Sequence, residues 1–259
     1  MLSEFNDKDP KVDIILPNYN KGEFIEETVN SILVQSYKNW NLFIIDDNSQ
    51  DNSKKIINSF KNNNINIVCL SKNKGVAFCR NLGIRLSNSK YISFIDSDDY
   101  WSQNKLEEQI LFMEKFNHEF TYTNYTPFIV KKNKKIFMKQ IIAPNSFNYD
   151  QFINDTSIGM SSVIIRRSTI GTIRFIRRLR ICEDYLFKCE ILKKCNTAVK
   201  FNQNTMFYRI SKDSLQSNKL RNLYWVWHIN KNYNQLSIFK NLKSLLFIII
   251  SSIKRYGIK

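Results

Sequence analysis

Apolar residues in this chain come in short blocks, and the blocks alternate between two periodicities. Val12–Leu16 reads VDIIL and stops at Pro17. It is too short for a helix and rich in strand-forming residues. From Gly22 to about Gln35 the apolar positions are Phe24, Ile25, Val29, Ile32 and Leu33, the spacing of one helix face. Trp40–Ile45 predicts a second strand, and Asp51 or Asn52 can cap a helix running to about Phe60. Ile65–Leu70 predicts a third strand, Lys74–Leu86 a helix, Tyr91–Ile95 a fourth strand and Asn104–Phe116 a further helix.

Strand alternates with helix through this stretch, and the strands are apolar on both faces. That is the pattern of an α/β fold, with a mostly parallel sheet covered by helices. Ligands of such sheets bind beyond the carboxyl ends of the strands. Three polar clusters fall there: Asn18-Tyr19-Asn20, Asp46-Asp47-Asn48-Ser49 and Asp96-Ser97-Asp98-Asp99. Beyond about residue 118 the alternation stops. Strands are expected at Phe120–Val130, Ile136–Ile142, Ser161–Ile165 and Thr205–Ile210, with a helix at Glu183–Lys194 and helical pieces from Leu215 onward. The expected organisation is a first half (1–117) with the alternating pattern, a second half of the same domain (118–213) and a basic amphipathic helical extension (214–259).

Charge sharpens this division. The net charge is +16, yet residues 1–110 carry 13 basic and 15 acidic side chains, and no acid follows Asp213. The first part is near neutral because its acids are clustered, and the remainder is strongly basic. The five cysteines include no C-x-x-C pair, so free thiols in a reducing compartment are expected rather than disulfides or structural zinc. The N-terminus lacks the basic-then-apolar pattern of a signal peptide. The apolar run near Leu245–Ile250 is closed by Lys254 and Arg255, well short of the ~20 residues that span a bilayer. The expectation is a cytoplasmic protein, soluble or peripheral.

FIDSDD (Phe94–Asp99) is the strongest chemical signal. Three carboxylates within four residues repel one another and need a counter-charge. A hard cation such as Mg²⁺ or Mn²⁺ would supply it and keep positions for phosphate oxygens. Otherwise the cluster is a solvated turn capping the next helix. Asp47 can accept hydrogen bonds from a base or ribose, or cap a turn. Tyr19 can stack on a base or simply pack. Arg80 either points to solvent or reaches the ligand edge to meet a diphosphate. Glu183-Asp184 opens a helix, where acids are favoured in any case, but Asp184 is also a candidate general base.

DIILPNYN, FIIDDNSQDNS, NKGVAFCRNLGI, YISFIDSDDYW and CEDYLF, in this order and spacing, resemble glycosyltransferase family 2. The resemblance covers about residues 11–210 and implies the GT-A fold, a Rossmann-like sheet flanked by helices, and inverting transfer from a nucleotide-diphosphate sugar, with 1–117 as the nucleotide-sugar-binding half and 118–213 as the acceptor-binding and catalytic half. It implies that Tyr19 stacks on the nucleobase, with Pro17 and Asn18 shaping that pocket, and that Asp47 bonds the base, usually uracil. Arg80 would meet the diphosphate or its ribose side. Asp96 and Asp98 would hold ribose and a divalent metal, Mn²⁺ or Mg²⁺, with Asp98 the nearest ligand. Asp99 would orient the site or contact the sugar, Glu183 would lie on the donor sugar, and Asp184 would be the catalytic base. Tyr208–Lys219 resembles a segment of bacterial enzymes that build surface polysaccharides such as lipopolysaccharide or capsule, so Arg209, Ser214 and Lys219 would close over the phosphates. Asn18 and Asn48 stand where many members have Thr or Ser, and Gly. The implied acceptor is a glycan or a polyprenol- or lipid-linked sugar, met on the cytoplasmic face of the inner membrane.

Other readings fit less of the chain. Aromatic and basic residues interleave in Arg221–Gln235, as in single-strand nucleic-acid binders, but nucleic acid as partner leaves the three carboxylates unexplained. A dehydrogenase needs G-x-G-x-x-G after the first strand, and a nucleotidyltransferase needs a glycine-rich loop. An inactive scaffold would not need the intact acidic set. Leu236–Ile253 mixes Leu, Ile and Phe with Lys240 and Lys243. It can lie on an anionic membrane surface or pack on the domain with its lysines solvated.

Overall fold

The structure is a computed structural model and describes residues 10–179, 181–211 and 219–256. β1 (Val12–Asn18) lies between β2 (Trp40–Asp46) and β4 (Tyr91–Phe94), and β3 (Ile65–Cys69) flanks β2. All three pairings are parallel. Every residue of β1 is buried, because helices cover both faces of the sheet. The two-residue period of the strand sorts its side chains between two cores. Ile15 joins Ala77, Ile84 and Phe94 on one side, while Val12, Ile14 and Leu16 join Ile25, Val29 and Ile32 on the other. The first side is covered by α3 (Val76–Leu86) and the second by α1 (Ile25–Leu33). Each such buried side chain contributes about 1.5–3 kcal/mol. Gly83 lets α3 sit close on the sheet, since a Cβ there would lie 2.4 Å from Ile15 Cγ2.

After α4 (Lys105–Phe116) the same sheet continues through β6 (Phe120–Lys131), β9 (Ile164–Arg166) and β10 (Ala198–Arg209). The strand order is β3-β2-β1-β4-β9-β6-β10-β5, with β5 at Tyr100–Trp101. β9 runs antiparallel to both β4 and β6, while β6 and β10 are parallel. This arrangement brings the end of β10 back beside the acidic turn between β4 and β5. α7 (Glu183–Cys195) packs on the β1 and β4 face through Leu186 and Phe187. The chain closes with α8 (Lys219–Asn232) and α9 (Ile238–Tyr256).

Three expected elements change in the structure. The strand expected at Ile136–Ile142 is a short β7 (Lys134–Phe137) followed by an isolated bridge from Ile141 to Tyr125. The strand expected at Ser161–Ile165 begins instead with a 3-10 turn, Met160–Ser162. Ser161 there turns its hydroxyl to Asp99 and its carbonyl to Trp101 Nε1, so it is unavailable to a ladder. The strand expected at Thr205–Ile210 starts seven residues earlier, at Ala198. Asn202-Gln203-Asn204 hides its first half, because the register shifts around Asn204 let these polar residues interrupt the apolar pattern.

Candidate active site

Register builds the ligand edge. Asn18 pairs with Asp46 across β1 and β2, and Asn18 Nδ2 donates to Asp46 Oδ2 at 2.8 Å. Asp46 also accepts from the Ser49 amide and hydroxyl. Asn20 and Asn48 take left-handed backbone angles, φ 50° and 63°, which Asn tolerates far better than branched residues. That accounts for Asn48 at a position where the resemblance leads one to expect Gly. Asp47 is buried and accepts from the amides of Lys74 at 2.7 Å and Gly75 at 2.8 Å. It therefore ties the loop before α3 to the end of β2. Tyr19 is 46% exposed at this edge, whereas its neighbours Pro17 and Asn18 are buried. Asn18 Oδ1 is buried with no hydrogen-bond partner, which leaves one acceptor unused at the edge.

The carboxylates of the acidic turn point three ways. Asp96 is 36% exposed at its side chain and accepts from Arg80 Nη2 at 2.7 Å. Asp98 is 19% exposed at its side chain and accepts from Lys21 Nζ at 2.7 Å. Asp99 is buried and faces inward, accepting from Ser161 Oγ at 2.6 Å and the Arg209 amide at 3.1 Å. Burial, with Asp98 and Asp96 nearby, pushes the Asp99 carboxyl well above the ordinary range. Asp99 thus braces the turn from within. The Thr28 hydroxyl adds a clamp, donating to the carbonyls of Ser97 and Asp99.

Arg80 joins this turn to α7. Its Nη1 donates to Glu183 Oε1 at 2.6 Å while Nη2 holds Asp96, and the guanidinium is buried. The structure thus gives Arg80 two carboxylate partners where the sequence suggested a diphosphate or solvent. Next to Glu183, Asp184 accepts from Lys188 Nζ at 2.8 Å, and that ammonium also donates to the Ile158 carbonyl. Burial raises the Asp184 carboxyl, but Lys188 and Arg80 more than reverse this and hold it below its usual range. Burial pushes Glu183 up to about 7 against the pull of Arg80. Two adjacent carboxyls are thereby driven apart, the pattern of groups with different roles. Cys182, just before them, takes φ 59°, a left-handed strain of ~1 kcal/mol or more for a non-Gly residue.

The expected phosphate-closing group divides. Arg209 is buried, with Nε on the Asp98 carbonyl at 3.0 Å, an ion pair to Glu27, and its guanidinium between the rings of Phe24 and Phe128. Its place here is a strut under the acidic turn. Lys219 is exposed at the start of α8, and Ser214 lies outside the described residues. Four residues of the site escaped the sequence reading: Lys21, Thr28, Ser161 and Lys188. Lys21 lies one residue past Asn20, and Lys188 one helical turn after Asp184, the spacing at which opposite charges meet. Ser161 carried no signal of its own.

Lys21 and Arg80 also revise the source of the counter-charge. Two protein cations sit on Asp98 and Asp96, where the sequence left that role to a metal. They do not complete it. Burial and Asp96 keep the Asp98 carboxyl above its ordinary range despite Lys21. Among the described residues no three His, Cys, Asp or Glu gather as a metal cage. The donor set is instead two hard carboxylates, Asp96 and Asp98, at one strand end, and oxygen donors of this kind fit a divalent cation such as Mg²⁺ or Mn²⁺.

The family model of glycosyl transferase family 2 matches residues 13–179. The chain belongs to this family. A relative in Escherichia coli, the UDP-Glc:alpha-D-GlcNAc-diphosphoundecaprenol beta-1,3-glucosyltransferase WfgD, is 32% identical over 249 residues, 95% of each chain. The fold is that of S. aureus TarS 1-349 in complex with UDP-GlcNAc, with a TM-score of 0.71 at 18% identity over 94% of this chain and 73% of that one. It is shared with the mannosyltransferase PcManGT from Pyrobaculum calidifontis in complex with GDP-Man and Mn²⁺, with a TM-score of 0.67 at 13% identity over 98% and 77%. The resemblance read from the ordered motifs is borne out, and the α/β sheet of this family 2 enzyme is a GT-A sheet.

Proposed function

We propose that this family 2 enzyme transfers a sugar, with inversion, from a uridine-diphosphate donor to a glycan or lipid-linked acceptor in the assembly of a bacterial surface polysaccharide. The observation that carries this reading is the Arg80 bridge, which sets Asp96 of the acidic turn and Glu183 of the Glu183-Asp184 pair on one guanidinium. A donor side and an acceptor side thus share one edge of the sheet. The relative WfgD, named for a UDP-Glc donor and a diphosphoundecaprenol-linked acceptor, and the UDP-GlcNAc complex of TarS support the choice of donor and acceptor class.

In this mechanism Tyr19 stacks on the base, and Asn18 Oδ1 accepts from the base. Asp47 shapes that pocket by holding the loop at Lys74 and Gly75. Asp96 and Asp98 would hold Mn²⁺ or Mg²⁺, which when bound neutralises charge on the departing diphosphate. Asp184, ionised beside Lys188, takes the proton of the acceptor hydroxyl. The hydroxyl oxygen forms its bond to the anomeric carbon as the bond to the diphosphate oxygen breaks, so the nucleotide diphosphate leaves with the electron pair. No covalent enzyme intermediate is needed. Free cysteines at all five positions suit the reducing cytosol in which nucleotide sugars are made.

A panel of nucleotide sugars, measured by thermal shift and by hydrolysis with and without Mn²⁺ or Mg²⁺, tests the reading. UDP-sugars should raise Tm most, with metal strengthening the effect. If no nucleotide sugar raises Tm, the proposal fails and a scaffold role takes its place.

A further inference from the structure

α9 is docked inside out. At 100° per residue, Asn241, Ser244, Ser251, Ser252 and Arg255 fall on one side of the helix. That is the side turned to the domain. Asn241 and Ser244 are buried, the Asn241 amide donates to the Trp227 carbonyl at 3.0 Å, the Ser244 hydroxyl donates to the Ile153 carbonyl, and Arg255 pairs with Asp155 at 2.5 Å. Leu245 and Ile248 are the apolar residues on this side. The opposite arc is occupied by Ile238, Phe239, Leu242, Leu246, Ile249, Ile250 and Ile253, all exposed, with Phe239 84% exposed. Soluble amphipathic helices put such an arc against the core. Here polar hydrogen bonds hold the polar side down and direct the apolar side outward.

The charge around this arc selects its occupant. Lys240, Lys243 and Lys254 are exposed along one border of it, and no acidic residue follows Asp213. A second copy laid on this face would set lysines against lysines with no carboxylate on α8 or α9 to pair them. No described helix is long and apolar enough to cross a membrane, so α9 would lie on a bilayer rather than through it. We propose that the outward face of α9 is a docking surface for an anionic lipid bilayer, with the apolar arc in the acyl boundary and the three lysines at the headgroups. This site stands apart from the carboxylates of the acidic turn and from Asp184, and it does not depend on which nucleotide sugar is used.

Flotation of the full chain with phosphatidylglycerol vesicles and with phosphatidylcholine vesicles tests the proposal. The expected result is tight binding to the anionic vesicles, much weaker binding to the neutral ones, and weakening as salt rises. Leu242→Glu with Leu246→Glu should abolish binding while Tm and UDP-sugar hydrolysis stay at wild-type values, because both positions are exposed. Each of Lys240→Gln, Lys243→Gln and Lys254→Gln should weaken binding about fivefold, the equivalent of ~1 kcal/mol per charge near the surface. Wild-type protein that stays unbound, a glutamate variant that binds as well as wild type, or a dimer that the glutamates dissociate would each overturn it.

Discussion

Arg80 and Glu183 lie 103 residues apart in sequence and meet at 2.6 Å through Nη1 and Oε1. The same guanidinium holds Asp96. Arg80 therefore works as a positioning residue, setting α7 against the acidic turn. Arg80→Lys keeps the charge but lacks the planar fork that reaches two carboxylates at once. It should lower stability by about 1.5–3 kcal/mol, one charge-assisted hydrogen bond, and lower kcat more than it raises KM. Denaturant unfolding and steady-state kinetics check this, and unchanged kcat would remove Arg80 from the account.

Lys188 sets the charge of Asp184 through a 2.8 Å contact one turn along α7. Lys188→Met removes the cation that offsets burial, so the Asp184 carboxyl should rise. In the proposed mechanism, transfer needs that carboxyl ionised. The acid limb of kcat/KM against pH should therefore move to higher pH in the variant. An acid limb at the wild-type position would place the base elsewhere.

Lys105 is fully buried, donating to Gln109 Oε1 at 2.8 Å with its ammonium 4.4 Å from the Trp101 ring centre. Burial lowers it from 10.5 to about 7. Between these values the unfolded chain holds a proton that the folded chain does not, so this group makes stability rise with pH across that window. Below about pH 7 the cost is fully present. Lys105→Met should relieve a cost on the order of a few kcal/mol near neutral pH and flatten the dependence of stability between pH 7 and 10. Parallel curves for variant and wild type would contradict this.

The close approach of α3 to β1 is tested at Gly83. Gly83→Ala gains helix propensity of up to about 1 kcal/mol but places its methyl against Ile15. Overpacking of about 1–3 kcal/mol should win, giving a lower denaturant midpoint. A higher midpoint would show that the helix can shift outward freely.

Much of the first half could be read in advance, because β1, β2 and β4 are buried on both faces and show it as apolar runs ending in polar clusters. Asp96 and Asp98 stood out because three carboxylates fall within four residues, and Asp184 because it belongs to an acidic pair inside an otherwise basic segment. The polar scaffold around them did not. Ser161 reaches Asp99 across 62 residues, and Lys21 reaches Asp98 across 77, and such partners have no local pattern. β10 was half hidden by its irregular register, and the direction of α9 could not be read from a helical wheel. The wheel places the apolar arc but is silent on which side meets the domain.

The most direct test of the account is Asp184→Asn, measured for UDP-sugar affinity by calorimetry and for single-turnover transfer to a lipid-linked acceptor. The amide keeps the shape and the contact with Lys188 but cannot take the acceptor proton. The account predicts donor affinity near wild type and transfer slowed by about 10²-fold or more. Transfer at the wild-type rate with intact donor binding would contradict it.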